Sequence, residues 1–447
     1  MLPEALEIRQ TPAQSLAKNP EWGESLKNPE KLQTSETGLK AKEFVEIQIP
    51  PEVLKLRNLF NNSGYRIWVV GGSARDAILN LEPKDWDLIT DAPPEAKNQL
   101  LKSTGWSFKS VPRQESNGIT SMVSSDTNEE YEIATLRTDS GERRNNQVTY
   151  STNLRNDLVR RDFTFNTLVI DLLNQVDGKY AVLDYTGGLE DLKKPCPIIQ
   201  TLGDASEKLI GDRSRILRAV MFASRFNFQI SKELDQAIKS DNQLTVINSK
   251  GEIEGVTKES KKEQLFKGIK TTLSLQNYFK LMNDYDLLSQ VLPEIKLDFS
   301  QLENLENYPN ISRDPIFVIV SLLGNSSYSD RDQLEKLSGL LKILKYNKLE
   351  VAKIIYLLKL TNLTPEIAVN LKKDQKISFE TDLLKSFFSF TKVEPRTSNG
   401  FIAYLDSPKI NAKSIIDNLP KPIDPKLISI AVQDAEILVF TELCDKN

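Results

Sequence analysis

Two stretches decide the fold of this chain: Ile67-Trp68-Val69-Val70-Gly71-Gly72-Ser73-Ala74-Arg75-Asp76 and, shortly after it, Lys84-Asp85-Trp86-Asp87-Leu88. They predict a strand, a glycine turn, the start of a helix and then a second strand. Successive side chains of a strand point to opposite faces, so Asp85 and Asp87 point the same way. Neighbouring carboxylates repel each other unless a cation lies between them. The sequence therefore predicts a cation site where the second strand begins.

The residues around this carboxylate pair suit a phosphate group. Carboxylate oxygens are ligands for Mg²⁺, which usually also binds substrate phosphates. Gly71 and Gly72 let the backbone approach a phosphate closely, and a helix that starts near Ser73 directs its N-terminal amides to the same place. Arg75 adds a positive charge. Each feature alone is common in turns, but together they resemble the polymerase-beta-like nucleotidyltransferase signature and indicate phosphoryl or nucleotidyl transfer.

The composition excludes several other kinds of site. The chain has 447 residues, with no histidine and only two cysteines, and its length predicts about two to four domains. The lack of histidine excludes histidine-based catalysis and histidine metal sites, and the few cysteines argue against a disulfide framework or structural zinc. Reduced cysteines fit a cytoplasmic protein. No apolar run is long enough to span a membrane. The net charge of −4 means that any RNA binding must use local patches.

The secondary-structure pattern changes along the chain. Residues 46–195 are predicted to form an α/β domain, with helices near 74–79 and 94–103. The strand candidates of this domain are 66–70, 86–90, 119–124, 131–137, 148–151 and 168–171. From Asp204 onward the strand signal fades and apolar residues take helical spacing, so the C-terminal half is predicted to be all helical. The polar, proline-containing residues 1–45 are predicted to be a flexible extension.

A third carboxylate, Glu132, lies in the alternating segment Glu130-Tyr131-Glu132-Ile133-Ala134-Thr135-Leu136-Arg137. It shares one strand face with Ala134 and Leu136. A carboxylate on an otherwise apolar face needs a metal or another cation as its partner. Glu132 is therefore a candidate to join Asp85 and Asp87 and to polarise the attacking hydroxyl. The alternative is a surface glutamate on an edge strand.

Arginines are concentrated in residues 137–161. This segment contains six arginines and three acidic residues, a local net charge of +3 in a chain that is negative overall. It ends in Arg160-Arg161-Asp162, in front of an apolar run. The fork of an arginine side chain grips two oxygens and suits a polyphosphate. Arg161 is therefore a candidate nucleotide-binding residue, and Asp162 is a candidate to orient Arg161 or Arg75.

Asp212, Arg215 and Arg218 recur every third residue in what is predicted as the first long helix of the C-terminal half, so they line one face. An aspartate beside an arginine matches the edge of cytosine or adenine, because it accepts from the amine while the arginine donates to the neighbouring acceptor. Guanine and uracil present a carbonyl there, which Asp212 would repel. The alternative is a helix-surface ion pair, which is common and contributes little to stability.

In this order and spacing, the motifs resemble the bacterial tRNA nucleotidyltransferase and poly(A) polymerase family, of the class II CCA-adding type. The resembling segments are 69–76, 84–91, 131–138, 157–166, 184–192 and 212–222. The resemblance implies an α+β chain in which a polymerase-beta-like α/β head with a mixed sheet is followed by an all-helical neck, body and tail. It implies Mg²⁺ at Asp85 and Asp87. It also implies nucleotide contacts at Gly72, Arg75, Arg161, Asp212, Arg215 and Arg218.

The activity that the resemblance implies is template-independent addition of CMP and AMP from CTP and ATP to the tRNA 3′ end, as CCA. The transfer would use two metal ions and release pyrophosphate. We expect the domains to be an extension at 1–45, a head at 46–195, a neck at 196–255, a body at 256–330 and a tail at 331–447.

Product specificity is the part of this prediction that the sequence leaves open. Gly211 and Met221 stand where the family pattern has a glutamate and an arginine. CC-only, A-only and poly(A) products therefore remain alternatives within the same family. A non-catalytic RNA-binding relative is a further alternative, and the intact Asp85, Asp87 and Gly72 argue against it.

Overall fold

The computed structural model of the chain describes residues 43–83, 85–109, 117–138, 148–324, 330–373, 377–416 and 425–446. The chain divides into two compact units, one of Met1–Lys208 with Gln229–Leu234 and the other of Leu209–Phe228 with Asp235–Asn447. Every helix within the described ranges is too short or too polar to cross a membrane. Most of the predicted extension, residues 1–42, and the middle of the arginine-rich segment, residues 139–147, lie outside the described residues.

The first unit is built around a mixed sheet. Its first ten strands are β1 (Glu43–Val45), β2 (Ile67–Val70), β3 (Trp86–Thr90), β4 (Ser107–Lys109), β5 (Ile119–Val123), β6 (Glu130–Thr135), β7 (Arg137–Thr138), β8 (Thr149–Tyr150), β9 (Val169–Val176) and β10 (Lys179–Leu183). Eight of them form one sheet in the order β1-β10-β9-β2-β3-β6-β5-β4, and β7 pairs with β8 in a separate ribbon. Among these described strands, β3 and β6 run parallel and the other neighbours are antiparallel.

Short helices cover the sheet and connect its strands. They are α1 (Pro51–Asn62), α2 (Gly71–Ile78), α3 (Pro94–Lys102), α4 (Leu154–Val159) and α5 (Gly188–Lys193). Helix α1 packs against β2 and β9 and buries Val53, Leu56 and Phe60, which recur at helical spacing along one face. A short parallel pair, β11 (Ile198–Ile199) with β12 (Gln229–Ile230), completes this unit.

The register of the strands shows which side chains share a face. Trp68 pairs with Ile89 on the neighbouring strand, so Val70, Ile89 and Asp87 lie on one face of the sheet. Val70 and Ile89 belong to a buried cluster that also contains Leu136, Leu154 and Leu158. Helix α4 and the residue before β7 therefore cover the face that carries Asp87.

The second unit is mostly helical. The helices are α6 (Ala205–Gly211), α7 (Ser214–Phe226), α8 (Lys232–Ser240), α9 (Lys258–Thr271), α10 (Leu275–Asp284), α11 (Leu288–Val291), α12 (Leu302–Glu306), α13 (Pro315–Leu323), α14 (Arg331–Ile343), α15 (Lys348–Leu360), α16 (Pro365–Lys373), α17 (Thr381–Thr391), α18 (Pro395–Asp406), α19 (Ala412–Ile416) and α20 (Pro425–Lys446). Two of these helices, α6 and α8, begin in residues of the first unit. The predicted α+β fold class is confirmed.

One detail of the helical half differs from the prediction. A hairpin of β13 (Thr245–Ile247) and β14 (Ile253–Gly255) interrupts the helices. Three-residue strands are too short to produce a periodic signal, so the sequence pattern does not reveal them. The hairpin needs glycine at its end, because Gly255 has φ +118° and a Cβ there would collide with the Leu244 carbonyl.

Candidate active site

The glycine turn between β2 and α2 lies directly beside Asp87 and Arg161. Gly71 has φ +66°, in the left-handed region that favours glycine. A Cβ built on Gly71 would lie 3.3 Å from Asp87 Oδ2 and 3.2 Å from Arg161 Nη1, and one on Gly72 would lie 3.7 Å from Asp87 Oδ2. The Asp87 backbone N–H donates to the Ser73 hydroxyl at 2.7 Å. The glycine pair, a carboxylate and a guanidinium therefore border the same small space.

Three carboxylates contribute negative charge here. Asp87 and Glu132 are register partners on the parallel strands β3 and β6, and Ser121 on β5 is the next partner of Glu132, with its Oγ 3.5 Å from Glu132 Oε1. Strand β6 lies between β3 and β5, so Glu132 does not occupy an edge strand. Burial raises the pKa of Asp87 to about 6, and the negative charges of Asp85 and Glu132 also raise it. The positive charge of Arg161 lowers this pKa but does not outweigh burial. The site is therefore crowded with negative charge.

The donor set fits a divalent cation that is held jointly by the protein and a substrate. Asp85 is exposed and Asp87 is half-buried, so both are accessible to a ligand. In the described part of the chain, no group of three or more histidine, cysteine, aspartate or glutamate side chains is arranged to hold a metal ion. Mg²⁺ is usually held by one or two carboxylates together with substrate phosphates. Two carboxylates beside a glycine turn provide that arrangement.

The raised pKa of Asp87 predicts a pH dependence of stability in EDTA. The folded protein holds the Asp87 proton up to about pH 6, whereas an unfolded aspartate releases it near pH 4. Ionised Asp87 therefore destabilises the fold. As the pH rises from about 4 to about 6, the free energy of unfolding of the wild type should fall relative to that of Asp87→Asn, by at most about 3 kcal/mol. Urea unfolding of both proteins across this range tests it, and parallel curves would contradict it.

Arg75 is held at the same turn by a buried network. It is 2% exposed, with Nε donating to Asp76 Oδ1 at 2.8 Å and Nη1 donating to Asn166 Oδ1 at 2.7 Å. Asn166 Nδ2 in turn donates to Asp162 Oδ1 at 3.0 Å. A Cβ on Gly72 would lie 3.6 Å from Arg75 Nη2. Asp162 therefore supports Arg75 through Asn166, and the guanidinium is held beside the glycine turn.

Asp157 supports Arg161, and the sequence reasoning did not identify it. Asp157 has no exposed surface. Its Oδ1 accepts from Arg160 Nε at 3.0 Å and from the Arg137 backbone N–H at 3.3 Å, and its Oδ2 accepts from Arg161 Nε at 3.1 Å. Burial alone would raise the pKa of Asp157, but the guanidinium groups of Arg161 and Arg160 lower it below its usual range. The sequence does show that Asp157 precedes Arg160 by three residues and Arg161 by four, which is the spacing of ion pairs along a helix.

In the second unit, Asp212 and Arg215 do not share a helix face as predicted. Asp212 lies in the turn between α6 and α7, and its Oδ1 accepts from the Ser214 backbone N–H at 3.1 Å and from the Ser214 hydroxyl at 2.6 Å. Arg215 is buried near the start of α7, and the Arg218 guanidinium lies 5.4 Å from the centre of the Phe222 ring. An aspartate whose side chain accepts from the backbone N–H two residues later forms a local turn that competes with helix, so Asp212 precedes α7 and does not lie on it.

Comparison with known proteins points to one group of enzymes. Residues 67–196 match a family described as the Poly A polymerase head domain. The chain is 34% identical over 258 residues to the CCA-adding enzyme of Lactobacillus johnsonii, an alignment that covers 57% of this chain and 58% of that enzyme. It is also 34% identical over 272 residues to the CCA-adding enzyme of Lactobacillus gasseri, covering 59% and 61% of the two chains. The matches thus span about three-fifths of these relatives.

Solved structures with the same overall fold extend the comparison to most of the chain. The CCA-adding enzyme of Bacillus stearothermophilus in complex with CTP superposes with a TM-score of 0.60 at 20% identity, covering 88% of this chain and 94% of that one. A tRNA nucleotidyltransferase in complex with a primer tRNA and an incoming ATP analog gives 0.51 at 21% identity, covering 87% and 99%. At these identities the likeness establishes the shared fold.

Proposed function

We propose that this chain, whose residues 67–196 match the Poly A polymerase head domain, adds CMP and AMP from CTP and ATP to the 3′ end of tRNA. One observation carries the proposal: the Asp87 carboxylate and the Arg161 guanidinium both approach the Gly71 backbone, with Asp87 Oδ2 and Arg161 Nη1 3.3 Å and 3.2 Å from the position that a Cβ on Gly71 would take. That combination suits the triphosphate of an incoming nucleotide. The curated relatives named CCA-adding enzymes support the choice of tRNA as acceptor.

The metal proposed for this site is Mg²⁺, with Asp85 and Asp87 as the protein ligands. When bound, Mg²⁺ in a two-metal site supplies charge stabilisation to the attacking and leaving oxygens. It would also remove the repulsion among the carboxylates, which contributes to the raised pKa of Asp87. The acid-rich, histidine-free composition agrees with this choice, because Mg²⁺ prefers oxygen ligands.

The side chains of the head divide the remaining tasks. The backbone of Gly72 lets the triphosphate approach closely, while Arg75 and Arg161 offset its negative charge. Glu132 lies beside Asp87, where it polarises the 3′-hydroxyl of the tRNA. The hydroxyl oxygen forms a bond to the α-phosphorus and its proton passes to water. The bond from that phosphorus to pyrophosphate breaks, and pyrophosphate leaves with the electron pair.

Asp212 and Arg215 are proposed to select the base, with Arg218 as a further nucleotide contact. Arg215→Ala should reduce incorporation of the correct nucleotide by about 1–3 kcal/mol, because it removes donors to a base acceptor that is buried on binding. Asp212→Ala should relax discrimination against UTP more than it reduces use of CTP. Single-turnover incorporation of all four nucleotides measures both effects. Arg225→Ala, on the same helix, is the matched control. An unchanged CTP-to-UTP ratio in Asp212→Ala would refute base reading by Asp212.

The length of the product separates full CCA addition from its alternatives. A tRNA that lacks its 3′ CCA is incubated with CTP alone, with ATP alone and with both, and the products are sized on a denaturing gel. We expect two additions with CTP and a third only when ATP is also present. Growth that stops after CC, addition of A only to a CC-ended tRNA, or a long A tail would assign the alternative activities, and no extension at all would refute the proposal. A cytoplasmic location remains a prediction from the cysteine content.

A further inference from the structure

We propose that Arg213 is a positioning residue for base selection, because it fixes the turn that carries Asp212 and leads to Arg215. This inference rests on the proposed function. Asp212 is exposed at this turn, whereas the neighbouring Arg213 is only 9% exposed. Arginine is rarely buried unless its charge is paired. The turn therefore combines an acid that is open to a ligand with a buried cation that needs a partner inside the protein.

The Arg213 guanidinium finds that partner in the segment that follows α8. Its Nη1 donates to Asp241 Oδ1 at 2.9 Å and to the Gln243 carbonyl at 2.7 Å, and its Nη2 donates to Asp241 Oδ2 at 2.8 Å. A guanidinium fork that grips both oxygens of a carboxylate fixes orientation as well as distance. The hydrogen bond from Arg213 lowers the pKa of Asp241 below its usual range, so this carboxylate is ionised at neutral pH. The contact is therefore a charged pair held at two points.

The segment that receives Arg213 is itself fixed to later parts of the same unit. Asn242 Nδ2 donates to the Tyr285 carbonyl at 2.9 Å, and Gln290 Nε2 donates to the Asn242 carbonyl at 3.1 Å. The Leu244 backbone N–H donates to Gln290 Oε1 at 2.8 Å, and Leu244 has no exposed surface. All of these residues belong to the second unit. Arg213 therefore ties its turn to a well-anchored part of that unit.

Arg213 lies between the two residues that are proposed to select the base. The Arg215 backbone N–H donates to the Asp212 carbonyl at 3.1 Å, and the Ile216 backbone N–H donates to the Arg213 carbonyl at 3.2 Å. The same short turn thus sets the positions of Asp212 and Arg215 relative to each other. Gly211, on the other side of Asp212, has no side chain that could hold the turn. An acceptor and a donor that are already in place lose less entropy when a base binds, so fixing the turn favours the correct base edge.

Discrimination between bases is the property that a loosened turn should lose first. The acid must accept from the amine of cytosine and repel the carbonyl that uracil presents at the same place. A shift of about an ångström weakens the first interaction and relieves the second. Loss of the Arg213 contacts should therefore lower kcat/KM for CTP and leave kcat/KM for UTP almost unchanged.

The test compares kcat/KM for CTP and for UTP in the full chain, with a tRNA that lacks CCA as the acceptor. Arg213→Ala should lower the CTP-to-UTP ratio about tenfold, the loss expected for a hydrogen bond to a charged group. Asp241→Asn keeps the shape of the side chain but weakens the pair, so it should lower the ratio in the same direction although Asp241 lies outside the turn. The Asp241 side chain is 43% exposed, so it can be hydrated when Arg213 is absent, and thermal unfolding checks that both variants are folded.

A double-mutant cycle determines whether Arg213 acts through Asp212. If it does, adding Arg213→Ala to Asp212→Ala should lower the ratio by less than about twofold further, because the residue that Arg213 positions is already gone. A full tenfold loss in that background would show that Arg213 acts independently of Asp212 and would refute the inference. Lys239→Ala, which breaks an exposed ion pair with Asp235 on α8, is the control and should leave the ratio within about twofold of wild type.

The outcomes also separate this inference from the proposed function. If wild type extends tRNA and Asp212→Ala relaxes the ratio but a folded Arg213→Ala does not, the positioning role is refuted and the proposed function stands. An effect of Arg213→Ala without one of Asp241→Asn would indicate a direct contact of Arg213 with a substrate, which also refutes the role. If Asp212→Ala leaves the ratio unchanged, Arg213 has no base reading to support, and the inference fails although tRNA is extended. If wild type extends no RNA, the proposed function fails and the inference fails with it.

Discussion

Asp87→Asn is expected to reduce nucleotide addition by about a thousandfold or more. Metal ions in such sites supply several kcal/mol of transition-state stabilisation, and each 1.4 kcal/mol corresponds to a factor of ten in rate. Asp85→Asn should have an effect of the same order, because both carboxylates are proposed to hold the same ion. The fold should survive, since removing a charge from this site relieves the crowding that helps to raise the pKa of Asp87. Single-turnover incorporation of CMP at saturating Mg²⁺ measures the loss.

A matched control distinguishes loss of the metal site from loss of any surface carboxylate. Asp126 belongs to the same unit and forms an exposed ion pair with Lys55 at 2.6 Å, with about half of each side chain exposed. Asp126→Asn should keep activity within about twofold, because exposed ion pairs contribute little. Mg²⁺-dependent turnover near the wild-type rate in Asp85→Asn or Asp87→Asn would remove that residue from the metal site.

The sequence predicted the structure best where one short segment contains both the candidate site residues and the pattern of the strand that carries them. Strand β3 spans Trp86–Thr90, as predicted, because its apolar residues lie between polar ones and leave little choice of boundary. The resemblance that these motifs predict is confirmed over residues 67–196, which match the Poly A polymerase head domain. Helix α2 begins at Gly71, earlier than the predicted residue 74, because the glycine turn leads directly into the helix.

Features that depend on distant parts of the chain were missed. Strand β1 lies within the segment predicted as a flexible extension, and it exists because it pairs with β10 far along the sequence. Strand β10 follows a turn at Asp177 and Gly178, and its place between β1 and β9 depends on nonlocal pairing. The same limit applies to Asp157, because the spacing to two arginines is visible in the sequence whereas its complete burial is not.

Asp157→Asn is expected to weaken both the fold and the binding of the nucleotide. It removes the charge that pairs with the Arg160 and Arg161 guanidinium groups, whose side chains are 18% and 20% exposed. Removing one partner of a buried ion pair costs up to about 3–5 kcal/mol in the free energy of unfolding. Because Arg161 lies beside Gly71 and Asp87, losing its orientation should also raise KM for CTP about ten- to hundredfold, the range for a hydrogen bond to a charged group. Urea unfolding and steady-state kinetics measure the two effects.

The kinetic constants separate a positioning role of Asp157 from a merely structural one. If Asp157 only stabilised the fold, the asparagine variant would contain less active protein, so kcat would fall while KM for CTP stayed the same. If Asp157 positions Arg161 for the triphosphate, KM must rise even when every molecule is folded. Asp284→Asn, which breaks an exposed ion pair with Lys280 on α10, is the control and should change stability by less than about 1 kcal/mol with unchanged kinetics. An Asp157→Asn protein with wild-type KM would show that Arg161 does not need this carboxylate to bind the nucleotide.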